Sequence, residues 1–156
     1  MIKIIPNIKV PIIKNGLSTI ISLKDEFINK KLILFGVPGA FTPTCSEKHF
    51  PGYIRLYDSF KKKQIDDIYC LSVNDEHVMK SWLISYFEDH KINGIADGNA
   101  EITKYFNLTS DKSKNFMGLR STRFVMLINN NEIKFIKIEK PGELNVSSAE
   151  KVLLEI

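Results

Sequence analysis

A mixed α/β fold, with a central sheet flanked by helices, is what this 156-residue chain predicts, on three observations. Between residues 32 and 106, short continuous apolar runs alternate with stretches of helical period, the order of parallel strands joined by crossover helices. Residues 123–138 hold two strand-like runs separated by Asn129-Asn130-Asn131, the signature of an antiparallel hairpin. The chain then closes on an amphipathic segment, Ser147 to Glu155. Parallel crossovers followed by a hairpin require a sheet of mixed sense.

The elements can be justified in order. Alternation in Ile2 to Ile5 and in Thr19 to Leu23 predicts short strands, and Leu23 to Phe27 a brief helix; Pro6 and Pro11 interrupt the isoleucine-rich start because proline cannot donate to a ladder. Leu32 to Val37 is apolar throughout, as a strand covered on both faces should be. Thr42 followed by Pro43 reads as a helix N-cap and first helical residue, which predicts a helix from Pro43 to about Lys62. Lys61-Lys62-Lys63 would then decorate its C-terminus, where cations are favoured. Ile68 to Val73 fits a central parallel strand, and Glu76 to Asp89 carries Val78, Met79, Trp82, Leu83, Tyr86 and Phe87 at helical spacing. Ile92 to Ala96 predicts another strand, Ala100 to Phe106 a short helix, and Arg123 to Ile128 with Glu132 to Ile138 the hairpin. Asp97-Gly98 and Gly118 read as turn residues.

Bulk properties narrow the function classes. The length fits one domain, residues 1–156, able to bury roughly two-thirds of its unfolded surface. A net charge of +4, spread over scattered lysines, is too modest for a nucleic-acid-binding face. The longest apolar stretch, Leu32 to Phe41, is about half of what spans a bilayer. Two cysteines make no disulfide framework, and no secretory apolar segment follows Met1, so a reducing, intracellular setting is expected, cytoplasmic or an organellar matrix. His49, His77 and His90 show no metal-ligand spacing, and there is neither a glycine-rich phosphate loop nor a Cys-x-x-Cys pair, so no metal and no bound cofactor is expected.

The chemistry concentrates at Cys45. It follows the apolar run ending at Gly36 and stands in the first turn of the predicted helix, where unpaired N–H groups favour an anion. Thiols at such positions ionise more readily than free cysteine and become nucleophiles. A lone cysteine is ordinarily a buried small hydrophobe, but the proline, glycine and threonine around this one build a tight loop and a helix start, not a core.

Pro38-x-x-x-Thr42-x-x-Cys45, within Pro38-Gly39-Ala40-Phe41-Thr42-Pro43-Thr44-Cys45-Ser46, resembles the active-site motif of the peroxiredoxins, in particular the type II (atypical), or Prx5, subfamily of the AhpC/TSA superfamily. The resemblance continues through Lys48-His49-Phe50-Pro51-Gly52-Tyr53, Cys70 to Asp75, Ala96-Asp97-Gly98, Arg120 to Phe124, Gly142-Glu143 and Val146 to Glu150, covering about residues 31–156. It implies a thioredoxin-like fold with a peroxiredoxin-type N-terminal extension. It also implies an antioxidant thiol peroxidase that reduces hydrogen peroxide and alkyl hydroperoxides and maintains redox homeostasis. Cys45 would be oxidised to a sulfenic acid and recycled by glutathione with glutaredoxin, or by thioredoxin.

The same resemblance assigns roles. Thr42, one turn before Cys45, would accept a hydrogen bond from the peroxide, in addition to its reading as an N-cap, and Pro38 would shape the rim and shield the sulfur. Arg123 would meet the Cys45 thiolate; Arg120 competes for this role on position alone, and the family's Arg-Phe pair favours Arg123-Phe124. Cys70, 25 residues after Cys45, is either a resolving thiol or structural core, and an inward-pointing strand thiol favours the second and a one-cysteine mechanism. His49 would line the pocket rim or pack at the surface. Relatives pair around the active-site loops, which implies a homodimer and makes Phe41, Phe116 and Leu119 interface candidates, with core positions as the alternative.

Overall fold

The computed structural model describes residues 3–86 and 91–156. Its main sheet has seven strands in the order β2 (Leu17–Ser22), β1 (Lys9–Lys14), β5 (Ile92–Ala96), β4 (Asp67–Ser72), β3 (Lys31–Val37), β8 (Phe124–Asn129), β9 (Glu132–Ile138). Three parallel strands form the middle: β3, β4 and β5. Antiparallel β1 and β2 extend one side. The hairpin of β8 and β9 extends the other. Helices α1 (Leu23–Phe27), α2 (Phe50–Arg55), α3 (Tyr57–Lys62), α4 (Glu76–Ile84), α5 (Glu101–Tyr105) and α6 (Ala149–Glu155) fill the connections and close the chain. A second, two-stranded sheet pairs β6 (Thr109–Asp111) with β7 (Leu119–Ser121).

Two apolar clusters lie on the two faces of the sheet, and strand alternation sorts residues between them. Ile33, Phe35 and Val37 of β3 pack with Phe50, Tyr53, Phe60, Trp82 and both cysteines. Leu32 and Leu34 pack on the other face with Phe27, Tyr69, Leu71, Phe124 and Met126. Nearly the whole of β3 and β4 is buried, which is why their sequences read as unbroken apolar runs.

The α/β expectation with a mixed sheet holds, and the departures from the expected elements have physical causes. The strand expected over Ile2 to Ile5 is reduced to one bridge, Ile4 to Glu132, flanked by Ile5 N–H to Asn131 C=O at 3.0 Å; Met1 and Ile2 lie outside the described residues. The true first strand, Lys9–Lys14, was hidden by Pro11, which is tolerated because the ladder to β5 begins only at Ile12. The single helix expected from Pro43 to Lys62 starts at Pro43, widens into a π-helical turn over Cys45–His49 and breaks at Leu56 into α2 and α3. Helix α4 ends at Ile84, and residues 87–90, with Phe87, Asp89 and His90, lie outside the described part. The hairpin turn is two residues: Asn130 and Asn131, with φ of 48° and 67°, adopt the left-handed pair that such a turn needs. The β6–β7 ribbon was not foreseen, its strands being three residues each and mostly polar.

Gly36 marks the tightest approach of the sheet to its own core. It pairs with Phe124, and a Cβ built on Gly36 would stand 2.0 Å from Phe124 Cε1. Gly36→Ala should therefore cost about 1 to 3 kcal/mol of stability through overpacking. Gly36→Ala with Phe124→Leu should be less destabilised than the sum of the single changes, read from urea unfolding midpoints.

Candidate active site

The loop that leaves β3 is held before the helix begins. Ala40 N–H donates to Asn74 Oδ1 at 2.9 Å, and the Ser72 hydroxyl donates to the same oxygen, so the ends of β3 and β4 are tied together. Phe41 has φ of 63°, an uncommon conformation for a bulky residue, which turns the chain into the helix. The Thr42 hydroxyl does not cap the helix; it donates to Gly39 C=O at 2.7 Å. Its proton is thereby committed, and its oxygen is left as an acceptor. Ser46 N–H then closes the first turn on Thr42 C=O at 2.9 Å. On the far side, Trp82 Nε1–H donates to Ser46 Oγ at 2.9 Å and the Tyr86 hydroxyl to Ser46 C=O at 2.7 Å, fixing this turn to α4.

Cys45 and His49 begin and end the π-helical turn, and both are buried. Arg123 immediately precedes β8; because Gly36 pairs with Phe124, the arginine stands beside the end of β3, where the Pro38 loop starts. Its Nη2 donates to Cys45 Sγ at 3.3 Å and its Nη1 to His49 Nδ1 at 2.9 Å. His49 Nε2 lies 3.0 Å from Ser147 C=O, which can only accept, so the proton is on Nε2 and Nδ1 is free to receive the guanidinium. Burial, reinforced by the charge of Arg123, lowers the His49 pKa to about 3, and the imidazole is neutral at physiological pH. The fork of Arg123 is thus held between one sulfur and one imidazole nitrogen.

Behind His49 a buried polar network continues. The Tyr53 hydroxyl also donates to Ser147 C=O, at 2.6 Å, and Tyr53 stacks on Phe35 with centroids 4.1 Å apart. Glu139 Oε2 accepts from Asn145 N–H at 2.6 Å, Ser147 N–H at 2.9 Å and the Ser147 hydroxyl at 2.7 Å. Burial pushes the Glu139 carboxyl up, but these hydrogen bonds outweigh it and hold the group below the usual range. Glu139 N–H donates to Arg123 C=O at 2.9 Å, closing the circuit.

The remaining expected residues are placed as follows. Arg120 does not reach the sulfur: its Nε donates to Met117 C=O at 2.9 Å, and Nη1 lies 3.5 Å from the carbonyls of Pro38 and Val73. Pro38 lines two adjoining cavities, of about 100 and 310 Å³, together with Thr44, Lys112 and Arg123; Thr42 lines the larger. His49 was expected at the rim or the surface and is instead buried behind Arg123, because its ring packs on Phe35 at 4.9 Å while both nitrogens are satisfied. Cys70 is fully buried in the cluster that holds Cys45; burial, then the charge of Cys45, push its thiol well up against an opposing pull from Arg123. Asp97 is more than a turn residue, since its carboxylate caps α5 through Ile102 N–H and Thr103.

Asn74, Tyr53, Glu139 and Ser147 were not singled out from the sequence. Tyr53, Asn74 and Ser147 lie in the segments that carry the family resemblance, but a backbone carbonyl such as that of Ser147 leaves no mark in side-chain chemistry. A polar residue between Ile138 and Lys140 was the available signal for Glu139.

A buried cysteine bound by an arginine at the C-terminal end of a central parallel strand defines a thiol-chemistry protein with a thioredoxin-like fold. The chain belongs to the redoxin family, whose model matches residues 3–153, and within it to the peroxiredoxins of the type II, Prx5-like group, which are antioxidant thiol peroxidases. It is 45% identical over 133 residues to peroxiredoxin-2D of Arabidopsis thaliana, covering 85% of this chain and 82% of that one. Reduced Prx3 of Vibrio vulnificus in complex with hydrogen peroxide superposes with a TM-score of 0.92 at 40% identity, covering 99% of each chain. The antioxidant protein of Plasmodium falciparum, a 1-Cys peroxiredoxin, superposes with a TM-score of 0.88 at 40% identity, covering 96% of this chain and 93% of that one.

The buried neutral imidazole has a consequence for stability. His49 is protonated below about pH 6.5 in the unfolded chain but stays neutral in the folded one down to about pH 3. The unfolded state therefore binds the extra proton in that window, and stability falls with falling pH by roughly 1.4 kcal/mol per pH unit below pH 6.5. Urea unfolding between pH 7 and pH 5 should show this slope in wild type and lose it in His49→Gln; equal slopes would refute the neutral buried histidine.

Proposed function

We propose that this chain is a one-cysteine thiol peroxidase in which Cys45 is the peroxidatic residue. The observation that carries the reading is the Arg123 guanidinium, 3.3 Å from Cys45 Sγ and locked by a histidine that can only accept from it. A permanent positive charge in a water-poor site stabilises a thiolate and then the negative charge that develops on the departing oxygen. Thr42, with its proton committed to Gly39, offers its oxygen to the peroxide hydroxyl, and Pro38 and Thr44 wall the approach. The hydrogen peroxide complex of the Vibrio vulnificus relative supports this substrate class.

The chemistry balances with thiols alone. The Cys45 thiolate attacks one peroxide oxygen, the O–O bond breaks, and the second oxygen leaves with a proton as water or an alcohol, producing the sulfenic acid. A thiol reductant displaces water to form a mixed disulfide, and a second thiol releases Cys45 as the oxidised reductant departs. Glutathione with glutaredoxin is the proposed donor, with thioredoxin as the alternative. Cys70 is assigned to the core, since its burial and raised pKa leave it a poor nucleophile, and the 1-Cys relative is consistent with that. Two free cysteines suit a reducing compartment, here the cytoplasm; among the described residues no helix is long and apolar enough to cross a membrane.

We infer further that the protein is a homodimer. Phe41, Phe116 and Leu119 are 56%, 98% and 43% exposed, so they are available to a partner and are not core. Phe41 and Phe116 sit on loops and Leu119 at the start of β7, and this segment reaches Pro38–Gly39, where Met117 Cε would come within 3.4 Å of a side chain on Gly39. Phe116→Asp should shift the mass in light scattering from dimer to monomer; a wild-type monomer at micromolar concentration would refute the dimer.

The mechanism is tested by stopped-flow peroxide consumption. Cys45→Ser should abolish turnover with either reductant system, and Arg123→Ala should slow peroxide attack about 10² to 10³-fold. Cys70→Ser should keep full turnover; its loss would place Cys70 in the cycle.

A further inference from the structure

We propose that the mouth of the Cys45 site is a carboxylate-binding site built on Lys112 and Lys140, and that it favours reactants carrying a carboxylate a few bonds from the reacting hydroperoxide or thiol. The inference rests on the peroxidase reading above and adds to it a class of ligand.

The two cavities at the mouth share Pro38, Thr44, Lys112 and Arg123, and the smaller is completed by Ser110, Thr122 and the turn Lys140-Pro141-Gly142-Glu143. Three cations therefore border it against one carboxylate, that of Glu143. Among the described residues neither Lys112 nor Lys140 is engaged in an ion pair, whereas Lys14, Lys30, Lys134 and Lys137 are. An unpaired surface lysine is ordinary; these two differ in how they are mounted. Lys112 N–H donates to Gly118 C=O at 2.7 Å, and its own carbonyl accepts from Asn115 N–H at 2.9 Å and Met117 N–H at 3.1 Å. The Lys140 carbonyl accepts from Glu143 N–H at 3.0 Å, and the preceding residue, Glu139, is bound to Arg123 C=O and clamps Asn145 and Ser147. Lys112 is thus fixed within its own closed loop and Lys140 next to a residue bonded to Arg123, while both side chains keep the reach of four methylenes.

Hydrogen peroxide has no use for these two ammonium groups. It is neutral and small, and Arg123 and Thr42 are enough to bind both of its oxygens. Lys112 borders both cavities and Lys140 the smaller one, so a carboxylate attached to a larger reactant would meet a net positive field there, three cations against the single carboxylate of Glu143. The partner chemistry is shared by two sources, an acidic organic hydroperoxide and an acidic thiol such as glutathione.

The test separates the two half-reactions. Trp82, the sole tryptophan, is hydrogen-bonded to the residue after Cys45, so its fluorescence should report the oxidation state of the sulfur. In the oxidation arm, tert-butyl hydroperoxide is compared with 4-hydroperoxy-4-methylpentanoate, the same tertiary hydroperoxide bearing a carboxylate. In the reduction arm, pre-oxidised protein is mixed with glutathione or with its dimethyl ester, at equal thiolate concentration. In wild type the carboxylate member should react faster in at least one arm. That preference should fall about fivefold in Lys112→Gln with Lys140→Gln, and should shrink when ionic strength rises from 20 to 500 mM. The arm that responds identifies the source. A preference absent from wild type, or unmoved by both the double variant and salt, would overturn the proposal. Failure of wild type to be oxidised by hydrogen peroxide would overturn the peroxidase reading itself.

Discussion

Everything at the site depends on one guanidinium being shared between a sulfur and an imidazole. Arginine is the suitable cation because it cannot be deprotonated and presents two N–H groups in a rigid fork. A fork with one tine free could rotate away from the sulfur. Here the second tine is occupied by His49 Nδ1, and the histidine in turn cannot rotate without breaking its bond to Ser147 C=O. Burial keeps that imidazole neutral, so it accepts from the arginine and does not repel it. The constraint is therefore a chain of single-direction donations, Arg123 to His49 to Ser147, each fixed by what the next atom is able to accept.

The sheet supplies the parts of this chain from distant segments. Strand β3 delivers the Pro38 loop and the helix that carries Cys45 and His49, and β8 lies beside it in antiparallel register so that Arg123 arrives at the same end. The loop after β9 brings Ser147, with Glu139 closing it through three donors to one oxygen. Glu139 is bound to Arg123 through the backbone as well, so the third segment is tied to the second independently of the histidine. Gly36 allows Phe124 to lie against the strand, and any enlargement there would displace the neighbour of Arg123.

The two cysteines illustrate how one cluster can hold thiols of different character. Both are fully buried and on the same face of the sheet. Cys45 sits on a helix turn and is bound by Arg123, which lines the cavities walled by Pro38 and Thr44. Cys70 sits in the middle of a parallel strand, paired on both sides, where desolvation dominates. Burial alone does not distinguish them; the neighbouring charge and the kind of backbone do.

The architecture was legible where burial on both faces or a strict period left a simple pattern: β3, β4, β5, the β8–β9 hairpin and α6 lie close to where the apolar runs put them. It was illegible where a local rule was overridden, as at Pro11 inside β1, or where a helix expected to be continuous was divided by a π-turn and a break at Leu56. The spacing Pro38, Thr42, Cys45 is local, carried by one loop and one helix turn, and so the sequence by itself determined the chemical character of the site and its family. The family's Arg-Phe pair already favoured Arg123 over Arg120, and the structure brings it to the sulfur; the burial and tautomer of His49 and the part played by Glu139 and the Ser147 carbonyl were decided only by tertiary structure. The contacts of Arg123 with Cys45 and His49 and of His49 with Ser147 join residues 74 to 98 positions apart, set by strand register and loop closure, and no local pattern encodes them.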